Sequence, residues 1–315
     1  MKKERYYIVA ALGLAFLLLT GCGNQPKKTG QAAPPVFPRV EMPALLTEAQ
    51  AMADYMAQHY WDKFDFTDTL FRAYPDVLEQ AFVDYIVMLP YAGGNLGPQS
   101  VAKLMTRAQA DTAMYRLLTE KSEHYLWDPN SPYRNEELYI PVLENIVANP
   151  ATDAATLARS QYRLETALKN RPGMTATDFD YTLASGQTRK MAQVRSEYLL
   201  LFFNNPGCST CAEIIGTAGN SPIFKRLQEE KKNGVPRLTV LALYPDEDLE
   251  AWREYLPQMP PHWINGYDRG TVIKNENSYD LKAIPTLYLL DKDKKVLLKD
   301  ADIGAIELYL QQNAL

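Results

Sequence analysis

Cys208 and Cys211 stand two residues apart, across Ser209 and Thr210, and two thiols so placed can close a disulfide or exchange one with a partner. They follow an apolar run, Tyr198 to Phe203, across Asn204-Asn205-Pro206-Gly207. Six large apolar residues in succession read as a buried strand, and Asn-Asn-Pro-Gly reads as the loop that ends it. The residues after Cys211 turn helical. The thiols therefore sit where a strand hands over to a helix N-terminus. That position lowers a thiol pKa and makes the first cysteine a nucleophile, which suggests redox chemistry.

The chain has one other cysteine, Cys22. Lys2, Lys3 and Arg5 precede an apolar core from Tyr6 to Leu19, and Thr20 and Gly21 lead to Cys22. A basic start, an apolar stretch and small residues before a cut are the marks of a secretory signal, and the run falls short of the roughly 20 residues of a membrane span. A cysteine just after the small residues resembles the bacterial lipobox. That resemblance implies a signal peptide over 1–21, cleaved before Cys22, whose sulfur carries diacylglycerol. The mature protein would then face an oxidising compartment, where disulfides persist, with only Cys208 and Cys211 left as thiols.

Such an isolated pair is a structural disulfide, a metal half-site or a redox centre. Metal is the weakest of these, because a closed zinc site takes four N or S ligands. The only histidines, His59, His124 and His262, lie at no ligand spacing from the pair. No metal or other cofactor is expected. A structural bridge across two residues closes too small a loop to stabilise much. Without residues 1–21 the formal net charge is −7, and no basic run interleaved with aromatics suggests nucleic acid.

Length after the cut favours two domains. Residues 22–45, rich in Pro, Gly and polar residues, read as a flexible tether. Residues 46–170 are helical in pattern. Thr47-Glu48-Ala49-Gln50 is a capping-box candidate, Pro75 suits a first helical position, and Ser100 is placed to cap a helix carrying Leu104, Met105, Ala108 and Tyr115. Two further helices are expected near 132–147 and 152–169, separated by Asn149-Pro150. Arg171-Pro172-Gly173 marks a boundary. From 174 to 315 the chain alternates, with strands expected at 176–183, 198–203, 238–244, 286–291 and 296–298. Helices are expected from about Cys211, at 222–232, 246–256 and 303–312. The pattern is α/β, with a mixed sheet edge behind an all-α domain.

Residues from about 175 to the end resemble a thioredoxin-fold module of the TlpA/ResA-like extracytoplasmic branch. Asp178-Phe179, Thr182-Leu183 and Gly186 resemble that branch's first hairpin, and the strand before Cys208-Ser209-Thr210-Cys211 resembles its active site. Ala283-Ile284-Pro285-Thr286, ahead of a strand, resembles its cis-proline loop. The helical part is similar to the domain that precedes thioredoxin-like modules in lipoproteins of Bacteroides-type bacteria. The resemblance implies an enzyme, a thiol–disulfide oxidoreductase. Cys208 would be its attacking thiol and Cys211 its resolving thiol, with Ile284, Pro285 and Thr286 lining the substrate. Protein or peptide disulfides would be its partners, and a membrane electron donor would feed it in the reducing direction. The location implied is the cell envelope, lipid-anchored through Cys22 and facing the periplasm.

Two departures stand out. Pro206-Gly207 replaces the aromatic-Trp pair often found before the first cysteine. No residue clearly matches the acid that some members place near the pair, since Glu213 on a helix is expected to face solvent. The alternative function is a partner- or glycan-binding lipoprotein that keeps the fold as a scaffold.

Overall fold

The computed structural model describes residues 33–314; Cys22, the signal stretch and the first part of the tether lie outside them. The helical part comprises α1 (Ala49–His59), α2 (Leu70–Ala73), α3 (Pro75–Met88), α4 (Leu96–Ala108), α5 (Thr112–Ser122), α6 (Glu136–Ala148) and α7 (Ala154–Ala167). One core joins them, built from Leu78, Phe82 and Tyr85 of α3, Leu104 and Met105 of α4, and Leu138, Val142 and Leu143 of α6. Phe37, in the stretch read as tether, is buried in that core, its ring 5.3 Å from Tyr60 and 5.2 Å from Trp61.

The caps account for where the helices depart from the sequence pattern. Helix α1 begins at Ala49 behind Glu48, which makes no side-chain cap, so the expected capping box does not form. Ser100 lies inside α4 rather than at its start. It is buried, its hydroxyl bonds the Ala57 carbonyl and pairs with the Tyr85 hydroxyl, and so it ties three helices together. The stretch ending at Tyr115 is two helices, because Asp111 caps α5 by accepting from the Met114 N–H at 2.8 Å. Asn135 and Asp153 cap α6 and α7 in the same way. Pro75 does occupy a first turn, where its missing N–H costs nothing. After α5 the helix widens into one π-helical turn, Glu123–Trp127.

The second part holds β1 (Asp180–Leu183), β2 (Thr188–Lys190), β3 (Tyr198–Phe203), α8 (Ser209–Asn220), α9 (Pro222–Glu229) and the short pair β4 (Lys231–Lys232) and β5 (Val235–Pro236). It continues with β6 (Leu238–Tyr244), α10 (Leu249–Tyr255), β7 (Ile264–Tyr267), α11 (Val272–Asn275), β8 (Thr286–Asp291), β9 (Val296–Lys299) and α12 (Ile303–Asn313). Seven strands form one mixed sheet in the order β2-β1-β7-β6-β3-β8-β9. Strands β3, β6 and β7 are parallel, and β8 runs antiparallel to β3.

The sheet is covered on both faces, which is why its central strands read as unbroken apolar runs. Leu200 and Phe202 pack on one side with Phe224, Ile306 and Leu310. Leu199, Leu201 and Phe203 pack on the other with Tyr279 and Tyr288. Strand β7 was not expected from sequence. Gly266 admits it to the sheet, since a Cβ there would lie 2.8 Å from the Tyr181 ring.

Candidate active site

The apolar strand β3 ends at Phe203, and buried Asn204 turns the chain. Its amide donates to the carbonyls of Phe202 at 3.1 Å and Leu243 at 3.4 Å. Asn205 follows, with its side-chain amide donating to Asp246 Oδ2 at 2.9 Å, while Lys274 Nζ holds Asp246 Oδ1 at 3.0 Å. The Asn205 carbonyl in turn accepts from the Cys208 N–H at 3.3 Å. Gly207 has φ of 74°, a left-handed turn that a side chain would strain. This loop delivers Cys208 to the N-cap of α8, which begins at Ser209, two residues before the position expected for the helix start.

At that cap the Cys208 sulfur accepts from the Cys211 N–H at 3.1 Å. The two cysteines are joined as a disulfide with Cα atoms 5.2 Å apart. Cys208 is half-buried at the surface, and Ser209 and Thr210 are exposed. Cys211 has no exposed surface and packs among Phe202, Ile214, Ala218 and Leu287. Glu213 is exposed on α8, as expected of a solvent-facing residue.

The second half of the site comes from the start of β8. The Ile284–Pro285 bond is cis, and the Ile284 carbonyl oxygen lies 4.0 Å from Cys208 Sγ. Thr286 pairs with Phe203 across the sheet and donates its hydroxyl to the Ala283 carbonyl at 2.6 Å. Cys208, Cys211, Ile284, Pro285 and Thr286, 76 residues apart between Cys208 and Ile284, are thus one constellation at one end of the sheet. The antiparallel pairing of β3 with β8 brings them together, because the end of one strand meets the start of the other. Among the described residues no group of three or more His, Cys, Asp or Glu side chains is placed to hold a metal ion.

Sequence reasoning missed the charges behind this loop. Lys282, two residues before Ile284, pairs with Asp280 and lies 3.9 Å from both Glu136 and Asp300. Lys299 sits 2.5 Å from Glu136 Oε2 as an ion contact, while its hydrogen bonds go to the carbonyls of Ala167 at 2.9 Å and Lys169 at 2.6 Å. Arg134 holds Asp300 at 3.1 Å. Burial pushes the carboxyls of Glu136 and Asp300 above the usual range, and the pull of Lys299 on the first and Arg134 on the second only partly offsets it. Only Asp280-Leu281-Lys282, directly ahead of Ala283, hinted at this in the sequence.

Two family models match. One described as "Thioredoxin-like" covers residues 196–296, and one described as "Domain of unknown function (DUF5106)" covers residues 21–170. A thioredoxin-like protein from Bacteroides caccae ATCC 43185, solved by crystallography, is 44% identical with a TM-score of 0.83, over 88% of this chain and 98% of that one. The C-terminal domain of an uncharacterized protein from Bacteroides fragilis NCTC 9343 is 48% identical with a TM-score of 0.42, over 45% of this chain and 98% of that one. No curated protein matches the chain. The sheet order, the cysteine pair at the head of α8 and a relative that shares both parts of the molecule agree, and the chain belongs to the thioredoxin-like family, with a helical domain ahead of its thioredoxin-like module.

Proposed function

We propose that this protein is a lipid-anchored thiol–disulfide oxidoreductase of the cell envelope that reduces protein disulfides through Cys208 and Cys211. The observation that carries the reading is the asymmetry of the pair. Cys208 is at the surface on a helix N-cap, and Cys211 is wholly buried one turn behind it. Unpaired N–H groups of the first helical turn favour a thiolate at Cys208 and not at Cys211.

Beginning from the reduced pair, the Cys208 thiolate attacks one sulfur of a substrate disulfide. A mixed disulfide forms, and the substrate's other sulfur leaves as a thiolate that takes a proton from water. Cys211 then gives its proton to water and attacks Cys208 Sγ, which breaks the mixed disulfide and releases the second substrate sulfur as a thiolate that is reprotonated from water. Two electrons pass to the substrate, and the pair closes into the disulfide seen here. Reopening it takes two electrons from a membrane-bound donor. An extended substrate strand would lie along the Ile284 backbone, whose carbonyl flanks Cys208.

Replacing Cys211 with Ser removes the resolving step and leaves the attacking one. In cells the Cys211→Ser protein is expected to accumulate mixed disulfides with its substrates, visible as reductant-sensitive bands that Cys208→Ser lacks. The absence of such bands in Cys211→Ser, or the same bands in both variants, would count against the reading. The proposed anchor is tested separately: Cys22→Ser should move the protein from the membrane pellet to the soluble fraction, and an unchanged partition contradicts lipidation there.

A further inference from the structure

The segment 277–282, which feeds directly into Ala283-Ile284-Pro285, is held from outside its own module. Asn277 donates to Thr166 Oγ1 at 2.5 Å, and Lys169 Nζ donates to the Asn277 carbonyl at 3.0 Å. Asn170, buried behind α7 with φ of 51°, donates to the Ser278 carbonyl at 2.8 Å. All three anchors belong to the end of the helical domain.

Lys282 closes the arrangement. Its ammonium lies 3.8 Å from the centre of the Trp127 ring, within cation–π range, and Trp127 ends the π-helical turn that follows α5. A π turn re-aims the side chains at its end, and it is an uncommon feature that clusters at functional places. Asp280 pairs with the same ammonium from the same segment, and its Oδ1 also accepts the Lys282 N–H at 3.1 Å. Glu136 of the helical domain and Asp300 beyond β9 stand 3.9 Å away. One lysine, its side chain 19% exposed, therefore joins the helical domain to the loop that flanks Cys208.

We propose that Lys282, clamped by Trp127 and Glu136, is a positioning residue for the cis-proline loop, and that through it the helical domain sets how well the site holds a protein disulfide. The inference rests on the oxidoreductase reading above and gives the helical domain a task within it. A protein substrate must lie along Ile284 to bring its disulfide to Cys208, so a loop displaced by a fraction of an ångström weakens its binding. A small disulfide needs only the exposed sulfur and does not report on the loop. The two substrates thus separate loop positioning from the chemistry of the thiols.

The test uses the full-length protein and compares wild type, Lys282→Met, Lys282→Arg and Trp127→Leu. Methionine keeps an unbranched apolar stem and removes the charge, and arginine restores a cation that stacks on an indole. With insulin as substrate, KM is expected to rise about tenfold in Lys282→Met at a kcat within about twofold, and to return most of the way in Lys282→Arg. The rate with 5,5′-dithiobis(2-nitrobenzoic acid) should stay within about twofold in every variant. If Lys282→Met shows no cooperative melt, Trp127→Leu decides, with a KM for insulin raised about threefold. An unchanged KM in the folded variants overturns the proposal, and so does an equal loss with the small disulfide, which would mark a general disturbance of the site. A wild type that reduces neither substrate would instead remove the oxidoreductase reading itself.

Discussion

Cys208→Ser should lose at least about 10³-fold in the turnover of a protein disulfide, measured as insulin reduction with dithiothreitol as the electron source and corrected for the uncatalysed rate. A disulfide is attacked by a thiolate, and a serine hydroxyl at the same place has no comparable anion near neutral pH. Cys211 cannot take over. It has no exposed surface and lies within the apolar core that holds Phe202, Ile214 and Leu287. Bringing a substrate sulfur to it would require opening the first turn of α8 and the packing beneath it. The fold should survive the change, since a serine oxygen is a good N-cap and can accept from the Cys211 N–H as the sulfur does now. Loss of activity with an unshifted melting curve is therefore the expected pair of results.

Glu136→Ala should destabilise the protein by about 3 kcal/mol, at the low end of the cost of breaking a buried ion pair. The side chain of Lys299 is 5% exposed and that of Glu136 is 15% exposed, so removing the carboxylate leaves an ammonium in the interior without its counter-charge. The carbonyls of Ala167 and Lys169 still accept from it, which keeps the penalty from being larger. The neighbouring residue supplies the control. Glu137 makes a two-pronged pair with Arg171 at 3.0 and 2.6 Å, but these side chains are 36% and 35% exposed. Glu137→Ala should accordingly cost about 1 kcal/mol or less. Urea titrations of the two variants followed by circular dichroism measure the contrast, and equal midpoints would contradict it.

What the sequence made legible follows from how each element is buried. Strands β3, β6 and β8 are central and covered on both faces, so each reads as a run of large apolar residues whose bounds match the structure. Ile284-Pro285, directly ahead of β8, was legible as a cis-proline loop only through its resemblance to that loop in the family, and the bond is cis. Strand β7 was not, because Asn265 and Gly266 interrupt its apolar pattern and the close approach of Tyr181 demands the glycine. Ser100 read as a cap because a hydroxyl is uncommon inside a packed helix. Its partners, Ala57 and Tyr85, come from two other helices and are visible only in three dimensions.

The charges between the two parts were hidden for a related reason. Glu136, Lys282 and Lys299 stand far apart in the chain, and their pairing depends on how α6 meets the end of β9. Phe37 was lost in a Pro-rich stretch whose composition suggested a tether, although its ring is packed among Tyr60, Trp61 and Phe64.

In the proposed chemistry Cys208 attacks a protein disulfide and Cys211 completes the two-electron transfer. The most direct measurement mixes the fully reduced, reductant-free protein one to one with a disulfide-bonded protein, quenches with acid, and counts thiols on each partner by mass. Wild type should release two new substrate thiols per molecule and end with Cys208 and Cys211 joined, while Cys208→Ser should release none. Equal release by the two proteins, or a wild type that keeps both thiols while the substrate disulfide stays closed, would contradict the account.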